Sequence, residues 1–315
     1  MIARFVRTLV ALALTAGVSL AQAGPYTITT MDLAGAINSQ GWDINNQGDF
    51  VGSAQVNGQS VGFVRNGAST VILSGPLGAL GAASLGISDT GTVVGSYYNV
   101  TDGDHSGFIF SAGNYTTLNY PGASYTQLRG ISADGRYVTG FAINADGSYT
   151  SFVYDMSNSQ FTAIATNTSL TIAQGVTNAG LVVGSRRLTA PTRRVAFTYD
   201  LGTATLSDFE VAGATSSRYR GINEAGLIDG WFTDANGAAH GLIGTTALHE
   251  VLDVAGAADT YLEGINDAGW LSGSYADDAG FQHAFLARAV SEPAAWALML
   301  AAIGGLSVSR RRRCI

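Results

Sequence analysis

Gly264-Ile265-Asn266-Asp267-Ala268-Gly269-Trp270-Leu271-Ser272-Gly273-Ser274-Tyr275 is written out, with changes, at five earlier places in the chain, beginning near Asp43, Gly86, Gly130, Gly175 and Gly221. Each copy opens on an aliphatic residue: Ile44, Ile87, Ile131, Val176, Ile222 or Ile265. Three mostly small or polar residues follow, and then a glycine at fixed spacing: Gly48, Gly91, Gly135, Gly180, Gly226 and Gly269. The pattern predicts a tight hairpin. Asn, Ser and Asp suit a type I turn, and the glycine supplies the left-handed residue of a G1 bulge that lets two twisted strands pair. A second glycine comes four residues later in five copies (Gly52, Gly95, Gly184, Gly230, Gly273) and five later in the third (Gly140). The third copy is therefore expected to carry a local bulge or register adjustment.

The opening aliphatic residues are 43 to 46 residues apart. A period in the forties with several short strands per unit points to a β-propeller, whereas helical repeats of that length would show 3.6-residue periodicity and little glycine. Four strands can be traced per unit: one ending at the aliphatic residue, one after the turn, a third carrying an apolar-aromatic run such as Val195 to Tyr199, and a fourth such as Tyr115 to Leu118. The sixth unit ends after its third strand at Ala287. Tyr26 to Ala36, in contrast, resembles the fourth-strand segments that end Leu252-Asp253-Val254-Ala255-Gly256-Ala257 and Phe209-Glu210-Val211-Ala212-Gly213-Ala214. An N-terminal strand that completes the last unit would close a ring and remove an open edge. The expectation is an all-β, six-bladed propeller over residues 24–290, with an open solenoid or two packed sheets as the alternative.

Composition agrees with a compact β body. Of 315 residues 46% are hydrophobic, only 12% are charged and 41 are glycine. All sixteen basic residues are arginine, and six of them lie at the termini; residues 24–290 keep ten arginines against twenty-two acids, a formal charge of −12. Such a body repels nucleic acid, whose binding requires phosphate neutralisation. The lone cysteine, Cys314, excludes an intrachain disulfide framework.

Both ends read as addressing signals. Arg4 and Arg7, the apolar run Leu9 to Leu20 and Ala21-Gln22-Ala23 form a secretory signal over residues 1–23, with cleavage expected between Ala23 and Gly24. At the other end, Ser291-Glu292-Pro293 precedes an apolar helix from Ala294 to Val308 and the cluster Arg310-Arg311-Arg312-Arg313. Fifteen residues rise about 22 Å as a helix, a short membrane span with arginines held on the cytoplasmic side. Residues 291–315 resemble a PEP-CTERM sorting segment, with Ser291 in place of the first proline. That resemblance implies recognition by an exosortase-type membrane protease, transient anchoring in the inner membrane through the helix, and release to the cell surface or matrix of a Gram-negative bacterium that makes exopolysaccharide.

Third-strand segments His283-Ala284-Phe285, His240-Gly241-Leu242 and His105-Ser106-Gly107-Phe108 resemble the HAF repeats of extracellular bacterial proteins. Ser60, Thr150 and Arg194 stand in the histidine's place in the other units, so the histidine has no duty common to all six. Three equivalent histidines on different blades, without a carboxylate or cysteine at ligand spacing, favour strand-end hydrogen bonding over zinc. Asp89, Asp134, Glu224 and Asp267 recur in the hairpin turns, where acids cap turns through their own side chains. Neither a calcium loop, a Gly-x-Ser-x-Gly elbow nor a phosphate-binding glycine loop is present, so no metal, cofactor or catalytic residue is assigned. Tyr97, Tyr98, Phe141, Trp231, Phe232 and Tyr275 follow the second glycine and read as packing between blades before they read as sugar platforms. The sequence thus favours a non-catalytic surface scaffold that binds polysaccharide or another envelope component. A secreted carbohydrate-active enzyme with acids at the channel is the alternative; an acid-free or plugged channel would favour the first and cavity-facing paired acids the second.

Overall fold

The computed structural model describes residues 21–22, 26–76, 79–99, 104–164 and 170–290. The signal segment with its Ala23/Gly24 cleavage point and the sorting segment (Ser291, Glu292, Pro293, the apolar stretch and Arg310 to Arg313) lie outside the described residues. Among the described residues no helix is long and apolar enough to cross a membrane.

Each repeat is a four-stranded antiparallel meander. Blade one runs Ser39–Ile44, Phe50–Val56, Gln59–Asn66 and Ser69–Leu73. The innermost strands of the next five blades are Ala82–Ile87, Ala123–Ile131, Thr171–Val176, Ser216–Ile222 and Asp259–Ile265. Blade six takes three strands from the C-terminal repeat, and Tyr26–Thr30 pairs antiparallel with Gln282–Ala289 as its fourth. Blade five carries in addition the two residues Ala21–Gln22, parallel to its outer strand. The ring is closed: Gln282 of blade six donates its N–H to the Asn38 side chain at the start of blade one (2.9 Å), and Asp267 donates to the Asn46 side chain (2.8 Å). This is the six-bladed, N-terminally latched propeller expected from the strand count.

All six turn glycines have φ between +71° and +86°, the left-handed conformation that the hairpin reading requires of them. The second glycines do something else. A Cβ on Gly95 would stand 2.0 Å from the Ala83 carbonyl and 2.9 Å from the Phe108 ring, and the same holds of Gly52 with Phe63, Gly140 with Phe152, Gly184 with Phe197 and Gly273 with Phe285. Each glycine lies directly across the ladder from its phenylalanine, and all five rings are fully buried. The phenylalanine of the His-Ala-Phe segment is thus the blade's central core residue, and the glycine makes its seat. Apolar side chains from the facing surfaces of neighbouring blades fill the space between them. The cluster of Val183 and Ala196 with Tyr219, Ile228 and Leu242 joins blades four and five in this way.

The third copy absorbs its extra residue in the turn. Ile131 pairs with Val138, whereas Ile265 pairs with Leu271, so the loop is one residue longer and the second strand starts one residue later. The ladder irregularity expected of that copy alone is present in every blade, at another place. Between the first two strands the register slips at Gly41/Asp43, Ser84/Gly86, Leu128/Gly130, Ala173/Val176, Tyr219/Gly221 and Leu262/Gly264.

Candidate functional site in the central channel

The slip in the register aims one side chain per blade into the centre. A bulge leaves a residue unpaired and turns it out of the pleat, and the residues so displaced are Trp42, Leu85, Arg129, Gln174, Arg220 and Glu263, all of which line the central cavity. Trp42 fills the middle of this ring. Its indole has the Arg220 guanidinium at 5.2 Å and that of Arg129 at 5.8 Å from the ring centroid, and its Nε1–H donates to Ser53 Oγ (2.8 Å). Arg220 is paired with Glu263 of the adjacent blade through both Nε and a terminal nitrogen. A cavity of about 60 Å³ remains beside this plug, room for roughly five waters at ~10–15 Å³ each.

One step along each strand from the displaced residue is a glycine: Gly86, Gly130, Gly175, Gly221 and Gly264. These stand shoulder to shoulder around the channel. A Cβ on Gly86 would meet Gly130 Cα at 2.9 Å, and one on Gly221 would meet Gly264 Cα at 3.0 Å. Blade one has Asp43 instead. Its Oδ1 accepts from the Ile44 N–H (2.8 Å) and its Oδ2 from the Ile87 N–H of blade two (3.0 Å). Burial outweighs these two bonds and raises the Asp43 pKa to about 7. Asp229, opposite Gly221, is completely buried with neither carboxyl oxygen hydrogen-bonded. Burial, then the charges of Glu263 and Asp43, push its pKa well above the carboxylate range. Glu263 is likewise raised by burial, against the opposing pull of Arg220.

The four turn acids have a collective role at the mouth. Asn46 donates its N–H to Asp89, Asp134 to the Asn178 side chain, Asn178 to Glu224, Glu224 to Asp267 and Asp267 to the Asn46 side chain, at 2.8–2.9 Å. Asp89 completes the circuit by donating to the Ala133 carbonyl (2.9 Å). The side chains of Asn46, Asp89, Asn178, Glu224 and Asp267 thus cap the turn of a neighbouring blade and, with the backbone bond from Asp89 to Ala133, link the six hairpins into one ring, while Asp134 accepts from the Arg136 N–H (2.9 Å) and caps its own turn as the sequence pattern suggested.

The histidines belong to the outer body. His283 Nδ1 lies 2.7 Å from Asp32 and His240 Nδ1 lies 2.8 Å from Asp253, while the other oxygen of each aspartate accepts from the Ala284 or Gly241 N–H. Each histidine so clips the third strand to the segment after the fourth, and in blade six that segment is the N-terminal latch. The hydrogen bond to Asp32 is the main cause of a raised His283 pKa, and that to Asp253 does the same for His240. Phe232 stacks on His240 and Tyr275 on His283 across the strands of one blade, Tyr98 meets His105 edge-on, and Trp231 reaches Tyr261 of the next blade. Only part of the aromatic set therefore packs between blades.

The channel residues carry no repeat signal in the sequence, because the displaced position is Trp, Leu, Arg, Gln, Arg and Glu in successive blades. The visible signal was Asp43, the one departure in a column of glycines.

No protein-family model matches the chain, and no curated protein matches it. Among solved structures it is similar to TolB of Acinetobacter baumannii (12% identity, TM-score 0.51), covering 79% of this chain and 63% of that one. A structure from work on two prolyl endopeptidases (12%, TM-score 0.51) covers 83% of this chain, which spans 40% of its length. The propeller domain of the Trilobed protease from Pyrococcus furiosus (9%, TM-score 0.51) covers 80% of this chain and 94% of that one, and is described as having an open velcro topology. At these identities the likeness establishes the propeller fold. The latch of Tyr26–Thr30 onto blade six distinguishes this ring from an open one.

Proposed function

We propose that the protein is an exported, non-catalytic propeller that presents its surface to polysaccharide or another envelope component, delivered by the signal over residues 1–23 and sorted through residues 291–315 by an exosortase-type protease. The observation that carries this reading is the plugged channel. Propeller enzymes that act on glycans need an open cavity in which two carboxyl groups flank a sugar ring, and here Trp42 and the Arg220–Glu263 pair occupy that place, leaving about 60 Å³. The secreted carbohydrate-active enzyme is the second reading. It is favoured by Asp43, which burial holds at about 7, in the range of a general acid or base, on the same wall as Glu263.

Incubation of purified protein with host exopolysaccharide separates the two. Weak binding that strengthens on multivalent display, with no release of reducing ends, is expected; glycan cleavage lost in Asp43→Asn would replace this reading with the enzyme. Intact mass of extracellular protein should start at Gly24 and lack Arg310 to Ile315; their retention on released protein would refute sorting.

A further inference from the structure

The arginines of this acidic body are unevenly placed. Of the ten between Gly24 and Val290, Arg129, Arg194, Arg218 and Arg220 gather around the channel on the side of blades three to five. Arg218 lies two residues further from the turn ring than Arg220, on the same strand, with its guanidinium 4.0 Å from the centroid of the Trp231 ring. Trp231 in turn meets Tyr261 edge-on at 4.9 Å, and Arg129 also lies 5.8 Å from Phe141.

Counter-charge is short here. Glu263 is taken by Arg220, and burial disfavours the charged form of Asp229, so the four guanidinium groups outnumber Glu263, Asp229 and Asp43 together. Burial and the like charge of Arg220 lower the Arg129 pKa only to about 9, so it keeps its charge at neutral pH. Three N–H groups at this end, Arg129 Nε, Arg218 Nε and Trp231 Nε1, are buried without an acceptor. Native interiors leave few donors in that state, and an unmatched group calls for an explanation. Excess guanidinium charge with unmatched donors beside aromatic faces fits an oxyanion carried on a ring that stacks.

We infer that this end of the channel is an oxyanion-binding site and, resting on the polysaccharide reading above, that its ligand is the carboxylate of an acidic sugar unit. Arg129 and Arg218 hold the carboxylate, and Trp231 supplies a donor and an apolar face. The turn acids at the opposite mouth repel the same ligand, so it approaches from the arginine side.

The test is titration of the purified protein with oligogalacturonate, a neutral galactan oligomer and inorganic phosphate, followed by tryptophan fluorescence and calorimetry. Oligogalacturonate should bind with an affinity that falls as salt rises, and Arg129→Gln and Arg218→Gln should each weaken it at least tenfold, while Arg136→Gln leaves it unchanged, because the Arg136 guanidinium is paired with Asp155 and does not line the channel. Equal binding of the neutral oligomer, indifferent to Arg129→Gln, would overturn the oxyanion site and leave the polysaccharide reading standing. Arg129-dependent binding of phosphate with no response to either saccharide would overturn the sugar assignment and the polysaccharide reading with it. Gln174 already occupies the ring position in blade four, so Arg129→Gln suits the fold; without ligand its Tm should equal or exceed that of the parent, because an unmatched buried charge has been removed. A large fall in Tm would mark the arginine as structural and defeat the proposal.

Discussion

Replacing Asp43 with asparagine should change how the stability of the ring depends on pH. Asp43 moves from an ordinary carboxylate pKa of 3.8 to about 7 on folding. The folded state therefore holds a proton that the unfolded chain releases between those values, and stability falls as pH rises through that window. About three pKa units at 1.36 kcal/mol each give a penalty of the order of 4 kcal/mol, absent below pH 4 and complete above pH 8. Asparagine cannot ionise. It still accepts one of the two N–H groups that Asp43 takes from Ile44 and Ile87, and the lost bond costs about 1–3 kcal/mol at every pH. The two contributions separate because only one of them titrates. Thermal melts of parent and variant from pH 4 to 9 should show the variant less stable in acid, with the difference closing and reversing toward pH 8. For a chain of this size the swing is roughly 8 °C or somewhat more, at about 2–4 °C per kcal/mol. Melting curves that stay a constant distance apart across the pH range would refute the argument that burial, and not the hydrogen bonds, governs Asp43.

Three further perturbations follow from the fold. Deleting residues 26–33 removes the outer strand of blade six and the Asp32 clip on His283, so the melting temperature should fall or the protein aggregate through the bared edge; unchanged melting would mean that the latch contributes nothing. Gly95→Ala drives a methyl group into the Ala83 carbonyl and the Phe108 ring and should cost about 1–3 kcal/mol by overpacking, read as a lower midpoint in urea with an unchanged slope. The His283 pKa, followed by NMR, should lie above the ordinary value of 6.5 and return toward it in Asp32→Asn. Because it is raised, the clip's stabilisation is full below pH 6.5 and is lost as pH climbs through the folded value.

Much of this architecture could be read from the repeat itself, since Gly48 and its five counterparts occupy a conformation that only a few turn types need, and Tyr26 to Ala36 looked like a missing fourth strand. The channel was illegible for a related reason. Repetition exposes what six blades share, while Trp42, Leu85, Arg129, Gln174, Arg220 and Glu263 share a bulge and no common side-chain type, and a bulge marks a strand of six to nine residues only by a one-residue shift of its alternation. In the sequence the glycines beside them only mark where each copy begins, yet Gly86 and Gly221 are needed because a neighbouring blade's backbone passes within van der Waals contact. Asp229 does not stand out in the sequence, because Val51, Val94, Thr139, Val183 and Ser272 hold the matching position and the column already varies between apolar and polar residues.

The latch also determines how the ring answers to mechanical load. Tyr26 pairs with Ala289 in an antiparallel ladder, so the chain enters and leaves the body at adjacent points on one outer edge. Tension applied between the two ends would open that ladder as a zipper, one pair at a time, starting at Tyr26, whereas strands pulled lengthwise in shear resist with all their bonds together. A tether attached beyond Val290 alone, with Tyr26 free, puts no tension across the zipper, and the drag on the domain is borne by the inner strands of blade six. The same ring would thus be fragile when held at both ends and robust when held at one.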